Sequence, residues 1–144
     1  MPQMIFINLP VADLDRSVAF YEAIGFTRNP MFSNEQAASM VLSDTICVML
    51  LTHGFWATFT DRRRVDPARE AQVLLCISRE DKTAVDAITR AATAAGGTAD
   101  PCPVQDHGFM YGRSFADPDG HIWEPMWMSA EAVEKGPAEM SDAG

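Results

Sequence analysis

The sequence lacks an apolar run long enough to cross a bilayer. The longest apolar stretches among its 144 residues have the length of a strand, whereas a membrane-spanning helix needs roughly 20 residues. Residues 1–7 also lack the basic segment, the long apolar segment and the small-residue cleavage site of a secretory signal. We therefore expect a cytoplasmic protein that does not associate with a membrane.

Positive charge is also scarce. There are 11 lysines and arginines against 20 aspartates and glutamates, which gives a formal net charge of −9. A charge of this sign disfavours non-specific binding to nucleic acids or anionic membranes. The same charge favours a cationic ligand.

Cysteine is too infrequent and too irregularly spaced for a disulfide framework or a zinc site. The chain has three cysteines, Cys47, Cys76 and Cys102, with no CxxC pair. Two of them lie in apolar runs typical of strands. We interpret all three as reduced thiols in the core.

The overall composition, 47% hydrophobic and 22% charged, is typical of one globular domain. The first part of the chain reads as strand, helix and three strands. Asp13 is a good helix N-cap, and Gly25 supplies the left-handed residue that ends the helix. The predicted elements are a strand at residues 6–11, a helix at 14–24, an extended piece at 26–31 and a hairpin with arms at 39–42 and 46–52.

The same order of elements recurs in the second part of the chain. Ser78 is the predicted N-cap of a helix with Asp81 in its first turn, and Gly96-Gly97 end it. The predicted elements are strands at residues 72–77 and 98–101, the helix between them, and hairpin arms at 109–115 and 121–128.

An offset of 66 residues superposes the two parts, for example Phe6 on Gln72 and Val11 on Ile77. A repeat of this length predicts an α+β domain of two βαβββ modules. Its parts are half one (residues 4–53), a connector (54–70), half two (71–128) and a mobile tail (129–144). Within the connector we expect one short apolar turn and interpret Arg62, Arg63 and Arg64 as solvated charge rather than a phosphate site.

Two segments resemble a known superfamily. Residues 8–17 (NLPVADLDRS), followed by Phe20-Tyr21 and Gly25-Phe26, are similar to the opening of vicinal oxygen chelate proteins, the glyoxalase/bleomycin resistance/extradiol dioxygenase superfamily. Residues 117–124 (DPDGHIWE) resemble their closing hairpin. With the duplication, the resemblance covers residues 5–128. It implies the glyoxalase-like fold, in which the two modules form a cupped mixed sheet with helices packed outside it. It leaves the chemistry open, because the superfamily includes lyases, isomerases, dioxygenases and drug-binding proteins without metal.

The resemblance also implies where metal ligands would lie. Metal-dependent members take one ligand from the first and one from the last strand of each half, which correspond here to Phe6, Met49, Gln72 and Glu124. Only Glu124 is a strong ligand, and Gln72 is a weak one; phenyl and thioether groups do not suit a hard divalent ion. We expect no cofactor, while a shifted register or a ligand from His107 or His53 would still allow Zn, Ni, Mn or Fe.

Strand alternation assigns faces to the closing hairpin. If Glu124 points into the cup, Ile122 and Met126 do so too, and His121 and Trp123 point away. A buried carboxylate needs a partner or a raised pKa. If Phe115 lies opposite Ile122, then Arg113 lies opposite Glu124 and forms an ion pair with it.

An unpaired Glu124 would suit a general base or an anchor for a cation. The loop at residues 105–113 adds His107, a titratable group, and Tyr111, interpreted as a packed ring with its hydroxyl at the rim. The candidate catalytic residues are therefore Glu124 and His107. The candidate ligand-binding residues share the cup face or the loop beside it: Phe6, Asn8, Met49, Leu51, Gln72, Leu74, Tyr111, Arg113 and Met126.

Three functions remain open. The first is a bleomycin-resistance-like protein that binds a small cationic or aromatic molecule in an apolar cup, with the standard metal site largely lost. The second is a metal-dependent lyase, isomerase or dioxygenase of the same superfamily, similar to lactoylglutathione lyase. The third is a ferredoxin-like interaction domain. In each case we expect a homodimer, because family members usually complete such a cup with a second subunit.

Overall fold

The first half of the chain folds in the order that the sequence predicts. The structure is a computed structural model that describes residues 2–136. Strands β1 and β4 are parallel neighbours in a four-stranded sheet of order β1-β4-β3-β2. The elements are β1 (Ile5–Val11), α1 (Leu14–Ala23), β2 (Thr27–Asn29), a 3₁₀ turn (Pro30–Phe32), β3 (Ala37–Val41) and β4 (Ile46–Thr52).

The second half repeats this arrangement. Strands β5 and β10 are parallel, and β10 pairs antiparallel with β8 and β9. The predicted α+β fold is confirmed: the curled sheets form a half-barrel cup, and helices pack outside it. After α2 (His53–Trp56) in the connector, the elements are β5 (Leu75–Ser78), α3 (Lys82–Ala94), β6 (Thr98–Ala99), β7 (Gln105–Asp106), β8 (Met110–Gly112), β9 (Phe115–Ala116), β10 (Ile122–Met128) and α4 (Ala130–Lys135).

The two main helices begin at aspartates. The carboxylate of Asp13 accepts a hydrogen bond from the backbone N–H of Arg16 at 3.1 Å, as predicted. The prediction for α3 was wrong, because the N-cap is Asp81 rather than Ser78. Ser78 is still paired with Met126 in the sheet, so the chain is extended there, and Asp81 supplies the acceptor three residues later.

Two segment boundaries also differ from prediction. Strand β5 begins at Leu75, not at Gln72, so residues 72–74 leave the sheet. The segment predicted to be a mobile tail contains α4, which Ser129 caps by accepting from the N–H of Ala132 at 3.1 Å. The remainder of that predicted tail, residues 137–144, lies outside the described residues.

One core lies between the helices and both sheets. Side chains from both halves meet there, and their transfer from water supplies the main favourable term in folding. The buried members are Leu9, Val11, Phe20, Tyr21, Ile24, Phe26, Ala38, Met40, Val48, Leu50, Ile77, Ile88, Ala92, Phe115 and Trp123.

A buried polar chain joins the two halves within this core. The hydroxyl of Tyr21 on α1 donates to Asp117 Oδ2 at 2.6 Å and accepts from Trp123 Nε1 at 3.0 Å. Burial raises the pKa of Asp117 above its usual range, although His121 and the hydrogen bond from Tyr21 oppose the rise. Burial, followed by the charge of Asp117, raises the pKa of the Tyr21 phenol well above its usual range. The phenol therefore keeps its proton at neutral pH and remains a hydrogen-bond donor.

The cysteines are not all in the core. All three are free thiols, but only Cys47 is buried; Cys102 is half-buried and Cys76 is exposed. The prediction of a core thiol is therefore wrong for Cys76. Alternation along β5 places Cys76 on the face opposite the buried Ile77.

Helices in the described part of the chain are short. Within residues 2–136, none combines the length and the apolar composition of a membrane span.

We predict that Tyr21→Phe lowers the free energy of unfolding by about 2–3 kcal/mol, because it leaves the buried Asp117 and Trp123 without their partner. Tyr111→Phe is the matched control: it removes a hydroxyl that donates to the half-exposed Asp86, at an expected cost below about 1 kcal/mol. Urea unfolding of both variants measures the difference. Equal losses would contradict a special role for the buried chain.

Candidate functional site

The strands divide their side chains between two faces. On β1, Leu9 and Val11 point to the helices and are buried, whereas Phe6 and Asn8 point to the other face, here called the cup face, and are exposed. Met49 lies opposite Asn8 on this face. The predicted candidates on β1 and β4 thus share the expected side of the sheet.

The principal cavity lies between β1 and the segment that precedes β5. Its volume is about 550 Å³, within the range that accommodates a small organic molecule. The free edge of β1 forms one wall, and the connector forms the opposite wall. The apolar lining residues are Ile5, Phe6, Ile7, Leu9, Pro10, Trp56, Val65, Pro67, Ala71, Val73, Leu75 and Ile122; the others are Asn8, Arg63, Arg64, Glu70, Gln72, Gly120 and His121.

A close backbone contact holds the connector over this cavity. Gly120 has a φ of +112°, and a Cβ at this position would lie 2.7 Å from the carbonyl carbon and oxygen of Pro67 and from the nitrogen of Ala68. Only glycine accommodates both the left-handed backbone and this approach. The turn of the closing hairpin therefore positions the cavity wall.

The structure overturns the predicted orientation of His121. The residue lines the cavity instead of pointing away from it. Its Nε2 lies 2.7 Å from the carbonyl oxygen of Pro10 on β1. Because a carbonyl only accepts, Nε2 donates, and this bond fixes the ring between the two halves.

A second histidine lies near His121. His53 begins α2, and its pKa is lowered first by burial and then by the positive charge of Arg64. His121 lowers it further, and Asp119 opposes the shift. His53 is therefore neutral at pH 7, in surroundings that Arg64 makes positive.

Trp56 ends the same helix and lines the cavity. Its indole Nε1 is buried and has no hydrogen-bond acceptor among the described residues. An unsatisfied buried donor costs about 1–3 kcal/mol.

Glu124 lies on the cup face of β10, where it is half-buried beside Cys76 on β5. Partial burial of the sulfur and then the charge of Glu124 raise the pKa of the Cys76 thiol. A thiol with a raised pKa is a poor nucleophile. Glu124 does not line the cavity, so the structure does not bring it together with Phe6 and Gln72.

The predicted ion pair between Arg113 and Glu124 is wrong. Phe115 lies opposite Trp123, one residue from the predicted register, and the N–H of Arg113 donates to Pro125 O at 3.1 Å. A shift of one residue moves a side chain to the other face of a sheet. Arg113 therefore points to the helix side.

On that side Arg113 is held by two carboxylates. Its Nε and Nη2 donate to Asp100 at 3.1 and 2.7 Å, and its Nη1 donates to Asp86 on α3 at 3.1 Å. Tyr111 also donates to Asp86, at 2.6 Å, so its hydroxyl binds a helix. These hydrogen bonds lower the pKa values of both aspartates. Neither Tyr111 nor Arg113 joins the cavity.

His107 lies in the exposed turn between β7 and β8. Its ring stacks on Phe109 with centroids 6.0 Å apart, and its Nε2 lies 3.2 Å from Gln105 Oε1. The structure therefore separates His107 from the cavity lining and from Glu124.

The side chains do not fit the metal centre that the resemblance implies. Phe6 and Gln72 line the cavity, but Met49 and Glu124 do not. In residues 2–136 no three His, Cys, Asp or Glu side chains lie close enough together to hold a metal ion. This arrangement of side chains therefore does not support a catalytic step through a metal.

Of the predicted ligand-binding residues, three line the cavity: Phe6, Asn8 and Gln72. It does not include Met49, Leu51, Leu74 or Met126. Sequence reasoning missed the five polar or aromatic side chains that the hairpin turn and the connector contribute: Trp56, Arg63, Arg64, Glu70 and His121. The one available signal was that Trp56 lies close in the sequence to the three consecutive arginines. This signal did not indicate towards which part of the fold their side chains point.

Comparison with known proteins supports the fold. Residues 3–43 match the family described as bleomycin resistance protein-like N-terminal. No curated protein sequence matches the chain.

Similar solved structures extend over nearly the whole domain. A hypothetical protein from S. aureus is 24% identical with a TM-score of 0.73, covering 88% of this chain and 94% of its own. A glyoxalase-related enzyme from Fulvimarina pelagi is 24% identical with a TM-score of 0.71, covering 88% of each chain. The bleomycin resistance determinant encoded on the transposon Tn5 is 19% identical with a TM-score of 0.60, covering 88% and 98%.

At these identities the structural matches establish the fold and leave the activity open. The match of residues 3–43 and these structures show that the chain has the fold of the glyoxalase/bleomycin resistance/dioxygenase proteins to which it is similar.

Proposed function

We propose that the chain binds a small, largely apolar or aromatic organic molecule in the cavity between β1 and the connector. The observation that carries the proposal is the cavity itself, about 550 Å³ in volume and lined mainly by apolar side chains. Binding of this kind requires no cofactor and no turnover. No arrangement of donors among the described residues favours a metal-dependent lyase, isomerase or dioxygenase.

Phe6 offers an aromatic contact surface for such a molecule. Its side chain is 57% exposed although it lines the cavity. Exposed aromatic surface is removed from water when a flat apolar ligand covers it, which favours binding. Asn8 and Gln72 add polar groups that would orient the ligand.

We predict that Phe6→Asp weakens binding of 2-naphthylmethanol, a neutral aromatic probe, at least tenfold, because the ligand would then have to desolvate a carboxylate. Isothermal titration calorimetry measures the effect. Phe32→Asp is the matched control, because Phe32 is 65% exposed and does not line the cavity. Absence of probe binding to the unmodified protein, or equal losses in the two variants, would count against the proposal.

The chain is also proposed to form a homodimer. Apolar side chains are exposed around the cavity, among them Ile5, Val65, Val73 and Leu74. Contiguous exposed apolar surface is typical of protein interfaces. A second copy packed against this surface would remove such side chains from water.

We predict a dimer by light scattering coupled to size-exclusion chromatography at micromolar concentration. Leu74→Asp should shift the population towards monomer, because it places a charge in the exposed apolar surface. Val133→Asp is the control, since Val133 is 70% exposed on α4 and lies outside this surface. A monomeric unmodified protein would refute the dimer.

A further inference from the structure

The charges on the cavity wall differ in sign from the charge of the whole chain. The sequence carries a net charge of −9, which favours a cationic ligand. Yet the cavity lining contains two guanidinium groups, Arg63 and Arg64, against one carboxylate, Glu70. A bound molecule responds most strongly to the charges nearest to it.

Neither guanidinium is neutralised within the described residues. No carboxylate of residues 2–136 forms a salt bridge with Arg63 or Arg64, whereas Arg16 and Arg69 each have one and Arg113 has two. Their charge is available to a ligand. Guanidinium groups bind carboxylates through two parallel hydrogen bonds, which gives both affinity and orientation.

Other groups of the connector and the hairpin turn lie beside the same cavity. His121 is fixed against Pro10, and the positive charge of Arg64 acts on His53 at the start of α2. The connector thus brings unpaired positive charge to one apolar cavity.

We infer that the ligand is an aromatic or apolar carboxylate, whose anionic group is bound by Arg63 and Arg64, while its apolar body lies against Phe6. The inference rests on the proposed binding function and specifies the class of ligand. Arg63 and Arg64 are exposed, so their ion pair with the ligand forms in contact with water and weakens as salt is added.

Three naphthalene probes of nearly equal shape test the inference: 2-naphthoate, neutral 2-naphthylmethanol and 2-naphthylmethylammonium. At pH 7 and moderate salt, calorimetry should show 2-naphthoate binding at least tenfold more tightly than the ammonium probe. The double variant Arg63→Gln/Arg64→Gln should weaken 2-naphthoate binding about tenfold and leave the neutral probe within about twofold.

Arg62→Gln is the matched control. Arg62 adjoins the pair in sequence but does not line the cavity, so its loss should change 2-naphthoate binding less than about twofold.

The outcomes separate this inference from the function on which it rests. If 2-naphthylmethanol binds but 2-naphthoate binds no more tightly than the ammonium probe, the cavity is a binding site and the assignment of an anionic ligand is wrong. A loss in Arg62→Gln as large as in the double variant also overturns it, because the effect would then not depend on the arginines that line the cavity. If none of the three probes binds, both proposals fail.

Discussion

The hydroxyl of Tyr21 is the contact on which the relation between the two halves depends. It joins α1 of the first module to Asp117 and Trp123 of the second, inside a core that excludes water. Asp117 Oδ1 in turn accepts from the N–H groups of residues 119–121 at 2.9–3.0 Å, which sets the hairpin turn. From that turn His121 reaches β1 and Gly120 meets the connector. The cavity is thus a consequence of how the two modules are joined.

Much of the fold could be predicted from local patterns. The helical spacing after Asp13 and the alternation along β1 are short-range signals, and both were interpreted correctly. The recurrence of the same element order predicted two similar modules. Because alternation has a period of two, it also placed Phe6 and Asn8 on one face without knowledge of the partner strand. These two residues do line the cavity.

The rest of the site depends on contacts that no local pattern encodes. The connector covers the cavity because Pro67 approaches Gly120, residues that are far apart in the sequence. Strand register is set by packing across the whole sheet, and an error of one residue paired Arg113 with Glu124 instead of Asp86 and Asp100. For His121, assignment to a face of β10 failed because it precedes the strand, in a turn where alternation does not apply. Nothing in the local sequence indicates where the side chains of the three arginines point. Only the folded connector brings two of them to the cavity.

The central claim is that this cavity, and not the remainder of the cup face, is the binding site. The most direct test is a two-dimensional ¹⁵N–¹H NMR titration of the protein with 2-naphthylmethanol. The account predicts that the largest shifts occur for amides in residues 5–8, 63–73 and 120–122, which form the cavity walls. Largest shifts on the cup face of β3, β4 and β10, around Ser39, Met49 and Glu124, would place the ligand elsewhere and contradict the account.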